Sequence, residues 1–106
     1  MDEETRARIK SDVVLALSQV YDPEIPVNIY DLGLVYEINV QDDASVDIKM
    51  TMTAPNCPMA EDVVAEAQNA VSDVPLVKKA RIELVFEPQW TQKMMSEEAM
   101  LELGLL

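Results

Sequence analysis

The chain has no histidine, one cysteine and only two glycines among its 106 residues. Without histidine there is no Ser-His-Asp triad, no Cys-His pair and no HExxH zinc site. With Gly33 and Gly104 alone, neither a P-loop nor a dinucleotide-binding glycine fingerprint exists. A lone cysteine forms no internal disulfide, so nothing here describes a secreted disulfide scaffold. Bases are scarce as well: 8 Lys and Arg face 20 Asp and Glu, a net charge of -12. That balance lacks the cationic footprint that phosphate backbones and anionic membrane surfaces require. Nucleic acid and membrane are therefore not expected partners; the acidity serves solubility or a basic partner surface. Long apolar runs are missing too, none approaching the roughly 20 residues that span a bilayer. The N-terminal "MDEETRARIKSDVV" is charged and without an apolar segment, so no signal peptide is expected. The expected location is cytoplasmic.

What the chain does have is 49% hydrophobic residues, which suits one domain over residues 1–106. Folding at this size buries roughly 65% of the unfolded chain's surface. Ile9, Val13, Leu17 and Val20 recur at helical spacing, predicting a helix over residues 3–20 that ends at "YDPEIP". "VNIYDLG" reads as an irregular, ordered loop whose large apolar residues must pack. "LVYEINV" then alternates Leu34, Tyr36, Ile38 and Val40 on one face. After the turn "QDDAS", "VDIKMTMT" alternates Val46, Ile48, Met50 and Met52, completing a β-hairpin.

A second helix follows, with Pro58 as its first residue and Ala60, Val63, Val64, Ala67 and Val71 as its apolar stripe. "SDVPL" breaks it. "KKARIELVFE" reads as a third strand with Ala80, Ile82, Leu84 and Phe86 inward. The tail predicts a loop and a short helix, with Ser96 as its cap and Gly104 just past its end. The order α-β-β-α-β with one-sided strands predicts a two-layer α/β sandwich, its helices on one face of a small mixed sheet. The seven methionines fall mostly on core faces, and Trp90 reads as an anchor of the tail against the sheet.

Cys57 stands between Pro55 and Pro58 in "TMTAPNCPMAEDVV", at the junction of the second strand and second helix. The free N–H groups of the first turn and the helix dipole lower a thiol's pKa there, and the thiolate is the form that attacks sulfur or binds iron. Glu61 and Asp62 act against that shift. Thr51 and Thr53, two apart on a strand, share a face on which their hydroxyls could serve an anionic sulfur or a ligand; as strand-formers they need no such role. Asp22 and Glu24 flank Pro23, either as a turn or as a carboxylate pair near the cysteine. A small buried hydrophobe remains the plain alternative for Cys57.

"DPEIPVNIYDLGLVYEI", "MTMTAPNCPMA" and "FEPQWTQKMMSEEA" occur in that order. Together they resemble the SufT/PaaD-like family of metal-sulfur cluster biosynthesis proteins over nearly the whole chain, from about Val13 to Gly104. The resemblance implies a small α/β domain that assists assembly or transfer of iron-sulfur clusters rather than an enzyme. It places the family's reactive cysteine on Cys57, its acidic motif on Asp22 and Glu24, and its strand-end threonines on Thr51 and Thr53. The implied partners are the iron-sulfur assembly machinery and client apoproteins. PaaD-like members, which serve ring-oxygenase systems, usually carry further cysteines in a C-terminal extension, so the general SufT-like role is the better match.

Clusters normally take four thiolates, and one cysteine supplies one. The expectation is therefore a cluster held transiently, shared with a partner or shared across a homodimer, and none held by the isolated monomer. Two other readings stand beside it: an interaction module in which Cys57 only packs, and a thiol enzyme that would lack any histidine base.

Overall fold

The chain builds α1 (Glu3–Leu17), β1 (Val35–Val40), β2 (Ser45–Met50), α2 (Ala60–Ser72), β3 (Lys79–Leu84), a 3-10 turn (Gln92–Met94) and α3 (Glu97–Glu102) in a computed structural model. The structure describes residues 1–23, 25–53 and 58–105. The sheet order is β1-β2-β3, with β2 antiparallel to β1 and parallel to β3. Returning from the end of β2 to a parallel β3 needs a crossover, and α2 supplies it. This is the two-layer mixed-sheet architecture that the order of elements predicts.

Local chemistry explains most boundaries. Asp2 caps α1, its carboxylate accepting from the Thr5 N–H at 2.7 Å, and Glu3 and Glu4 complement the dipole in the first turn. The helix stops at Leu17, earlier than residue 20. Ser18 closes it, donating its hydroxyl to the Val14 carbonyl, and Tyr21 already pairs with Asn28 in an isolated bridge. Pro23 is therefore too late to be the cause. At the hairpin, the Gln41 N–H donates to the Ser45 carbonyl at 2.8 Å and Ala44 takes φ 70°. α3 starts on the Ser96 hydroxyl, which accepts from the Ala99 N–H at 3.1 Å. It ends in a Schellman motif: Leu105 N–H reaches the Met100 carbonyl and Gly104, at φ +73°, reaches Leu101.

The core gathers Ile9, Val13 and Leu17 from α1, Val46, Ile48 and Met50 from β2, and Val63, Ala67 and Val71 from α2. The 25–34 loop adds Val27, Ile29 and Leu32, all buried, so it packs as its apolar content requires. Three expectations change. The alternating face of β1 is interrupted by a register shift between Val35 and Glu37; Val35 packs on the core while the Tyr36 hydroxyl reaches out to the Pro88 carbonyl. Phe86 lies beyond β3, which ends at Leu84, and is 39% exposed rather than inward. Pro58 belongs to a turn, and α2 begins at Ala60 with Met59 as its cap. Of the methionines, Met50, Met52 and Met95 are buried, whereas Met1 and Met59 are exposed.

Candidate functional site

The sheet leads to the site through the last residues of β2. The Thr51 N–H donates to the Leu34 carbonyl at 2.8 Å, and the Val85 N–H donates to the Met50 carbonyl at 2.8 Å. Pairing thus continues past Met50 on both sides and holds Thr51 in place. Alternation predicts that Thr51 faces away from the core, and a two-layer fold would leave that face wet. Instead Thr51 is 1% exposed, and Met52 is buried beside it.

The cover is the segment after β3. Trp90 donates its indole N–H to the Leu32 carbonyl at 2.8 Å, and the Tyr36 hydroxyl donates to the Pro88 carbonyl at 2.8 Å. Further along, the Ser96 N–H donates to the Asp31 carbonyl at 2.8 Å. Three bonds therefore tie the tail across the loop and β1. Trp90 is a tail anchor, as expected, though its bond goes to the 25–34 loop. Desolvation pushes the Tyr36 phenol above its ordinary pKa, with the nearby Thr51 hydroxyl working in the opposite direction.

Buried in this way, the Thr51 Oγ1 makes no full hydrogen bond among the described residues. The Tyr36 O–H donates to the Pro88 carbonyl, which leaves the phenol oxygen open to the Thr51 hydroxyl, and the two interact. Buried hydroxyls are generally paired, and leaving one unmade costs about 1–3 kcal/mol. A cavity of about 230 Å³ opens here, lined by Thr51 and Thr53 from the strand end and by Phe86, Glu87, Gln89 and Trp90 from the tail. Thr53 is half-buried, so the two threonines differ: one is sealed and the other rims the opening.

On the far side of residues 54–57 stands the start of α2. Met59 offers no side-chain cap, and Glu61 and Asp62 occupy the first turn. Helix starts leave N–H groups without intrahelical partners, and Met59 supplies no side-chain cap to them. Cys57 itself lies outside the described residues, and so does Glu24. Asp22 is described: it is 5% exposed, and its Oδ1 accepts from the Ile25 N–H at 3.2 Å. That bond closes the turn around Pro23, the structural role open to an Asp at this position. Among the described residues no group of three or more His, Cys, Asp or Glu could hold a metal ion. No helix of the described chain is long and apolar enough to cross a membrane.

Sequence reasoning did not foresee the tail as the lid over Thr51. The signals were present but weak: Gly33, at φ +81°, packs so closely on the Met94 backbone that no side chain fits, and "FEPQW", just past the end of β3, holds four of the residues that line the cavity.

Residues 10–84 match the family described as "Iron-sulfur cluster assembly protein". A relative called an Fe-S protein maturation auxiliary factor, from Porphyromonas gingivalis, is 54% identical over 97 residues, covering 92% of each chain. The Fe-S protein maturation auxiliary factor SufT of Staphylococcus aureus is 35% identical over 86 residues, 81% of this chain and 98% of that one. Among solved structures, a domain of unknown function from Bacillus anthracis superposes with a TM-score of 0.91 at 32% identity, covering 99% of this chain and 100% of that one.

Proposed function

This chain belongs to the family of iron-sulfur cluster assembly proteins, and we propose on that premise that it is an accessory factor in cluster assembly or transfer to client apoproteins. The cluster, or the sulfur and iron that compose it, is cargo, and Cys57 is the sulfur ligand that handles it. The observation that carries this reading is the buried Thr51 hydroxyl, which makes no full hydrogen bond among the described residues, at the strand end six residues before the cysteine. Strand-end hydroxyls such as Thr51 and Thr53 and the first-turn N–H groups of a helix are donors that suit an anionic sulfur, and Cys57 stands between the two in the sequence. Such donors, with the helix dipole, favour the thiolate.

One cysteine supplies one thiolate, which fits a ligand that is offered and released. A partner completes the ligand set, which a cluster normally draws from four thiolates. Asp22 acts by holding the turn around Pro23, and Glu24 beside it is the second acidic candidate. No catalytic base is needed for this role, and the factor is not an enzyme.

The test pairs Cys57→Ser with a folding control. The variant keeps the urea midpoint of the parent, while recovery of a client holoprotein from its apoprotein and a cluster donor falls to the level seen without the factor. Full client maturation by the variant would overturn the proposal. Alkylation supplies a second readout: the native thiol should titrate below the ordinary value of about 8.5, and the urea-unfolded chain should return to it.

A further inference from the structure

Strand β3 stands at an edge of the sheet, with no strand beyond it among the described residues. The chain after β3 does not cover that edge; it crosses toward β1 and the 25–34 loop, where Pro88 and Trp90 are bonded. The Val85 N–H points to β2 at the Met50 carbonyl, so by alternation the backbone groups of Ala80, Ile82 and Leu84 face the open side. Their side chains are also less covered than those of the central strand. Ile82 and Leu84 are half-buried, where Val46, Ile48 and Met50 of β2 are buried. On the opposite face of the sheet Arg81 pairs with Asp47, and the Lys49 ammonium pairs with Glu37 at 3.6 Å. That leaves Glu83, in register with Lys49, without an ion pair among the described residues.

Charges on an edge strand ordinarily discourage strand addition. Here they select a second copy of the same edge. Two β3 strands laid antiparallel must set residues of one face opposite each other, so the two-fold axis falls on a residue and not between two. An axis at Lys79, Ala80, Arg81 or Glu83 sets like charges opposite each other, and one at Leu84 leaves most of the strand unpaired. An axis at Ile82 sets Arg81 opposite Glu83 of the second copy, twice, with Ile82 on Ile82 and Ala80 on Leu84 along the core face. One row across the joined sheet then reads Asp47, Arg81 and, in the second copy, Glu83, Lys49, Glu37, with the sign of charge alternating at every step. We propose that the open edge of β3 is a homodimer interface, two copies pairing antiparallel about Ile82 into one six-stranded sheet. The axis is perpendicular to the sheet, so both helical layers lie on the same face. The two Thr51 strand ends point in opposite directions, about 20 Å apart along the strands. On the cargo role above, each copy therefore meets a client separately; the pairing itself involves no cluster.

The experiment is sedimentation equilibrium of the full chain at about 0.15 M salt, where screening confines the repulsion between two chains of net charge -12 to roughly 8 Å. The parent should populate a reversible dimer below about 1 mM, and the Ile82 and Leu84 amides should exchange more slowly as concentration rises. Arg81→Glu and Glu83→Arg each set like charges opposite each other and should weaken the dimer by about tenfold or more, with urea midpoints checking that both variants fold. Mixed one to one, the two variants restore opposite charges at both positions and should associate with each other more tightly than either does with itself. A parent that stays monomeric to about 1 mM, a dimer that neither variant weakens, or a mixture that fails to associate would overturn the proposal. Cys57→Ser should dimerise as the parent does. A failure of client maturation to depend on Cys57 would therefore leave this result standing, and a monomeric parent would leave the cargo role standing.

Discussion

Strand β2 is finished differently at its two ends. At the hairpin end the polar groups are closed off locally: the Ser45 N–H donates to the Asp43 carboxylate at 2.9 Å, and the Lys78 N–H donates to the Ala44 carbonyl at 2.9 Å. Gln41 and Arg81 both donate to the Asp47 carboxylate a little further on. At the other end Thr51 is more deeply buried than any of these side chains, yet its hydroxyl is not fully hydrogen-bonded among the described residues. One strand thus shows both outcomes within a few residues. At the hairpin end acceptors and donors are matched; at the other end a buried hydroxyl beside an open cavity makes no full hydrogen bond among the described residues. On the function proposed above, the difference falls at the end of the sheet that leads to Cys57.

Three experiments would break or sharpen that contrast. The largest effect is expected from Gly33→Ala. A Cβ at Gly33 would lie 2.8 Å from the Met94 carbonyl carbon, on a backbone at φ +81°. Because Met94 belongs to the tail that covers Thr51, the loss should reach about 3 kcal/mol or more in urea denaturation. Gly104→Ala has a similar φ of +73° but meets nothing within 4 Å, so it should lose about 1 kcal/mol. Equal losses would show that the close approach of tail and loop does not hold this end of the molecule together.

A smaller effect of opposite sign is expected at Thr51. Thr51→Val removes a buried hydroxyl that makes no full hydrogen bond while keeping the branched shape, and should raise stability by about 1 kcal/mol while client maturation falls. A clear loss of stability would mean that the hydroxyl is satisfied in the native protein, and the contrast between the two strand ends would collapse.

The smallest effect belongs to the hairpin end. The Arg81 guanidinium, with help from Gln41, holds the Asp47 carboxyl below its ordinary range. A carboxylate depressed in the folded state contributes stability that is present above its unfolded pKa and lost as pH falls through the lower folded value. Asp47→Asn should therefore lower the urea midpoint slightly at pH 7, and the difference should close as the solution is acidified through and below the usual carboxylate range near 3.9. The Thr51→Val effect should stay constant over the same range. A pH-independent Asp47→Asn difference would show that the ion pair is not what closes this end.

Much of this was legible in the chain. Ile9, Val13 and Leu17 at helical spacing, and Val46, Ile48 and Met50 at alternate positions, identify both the elements and their buried faces. Ser96 and Gly104 mark the limits of α3 because caps are chemistry between near neighbours. The same locality explains the misses. Phe86 continues the alternation of β3 in sequence, but β3 ends at Leu84, and nothing local announces that end. Tyr36 continues the alternation of β1 until the register shift turns it toward Pro88. For the site, Thr51 and Thr53 could be singled out as a strand-end pair, but not that one would be sealed and the other left at a cavity rim.

What the sequence determined by itself is the order of elements, the core-facing residues and the exclusion of histidine-based, P-loop and disulfide chemistry, because periodicity, capping and residue type act over a few positions. Only the tertiary structure decided that Thr51 is buried, that its hydroxyl makes no full hydrogen bond among the described residues, and that aromatic rings and a carboxylate enclose the space above it. Those facts depend on bonds between residues 52 and 58 positions apart, Tyr36 to Pro88 and Leu32 to Trp90. No local pattern encodes such a closure; it exists only once the sheet has set β1 and β3 on either side of β2.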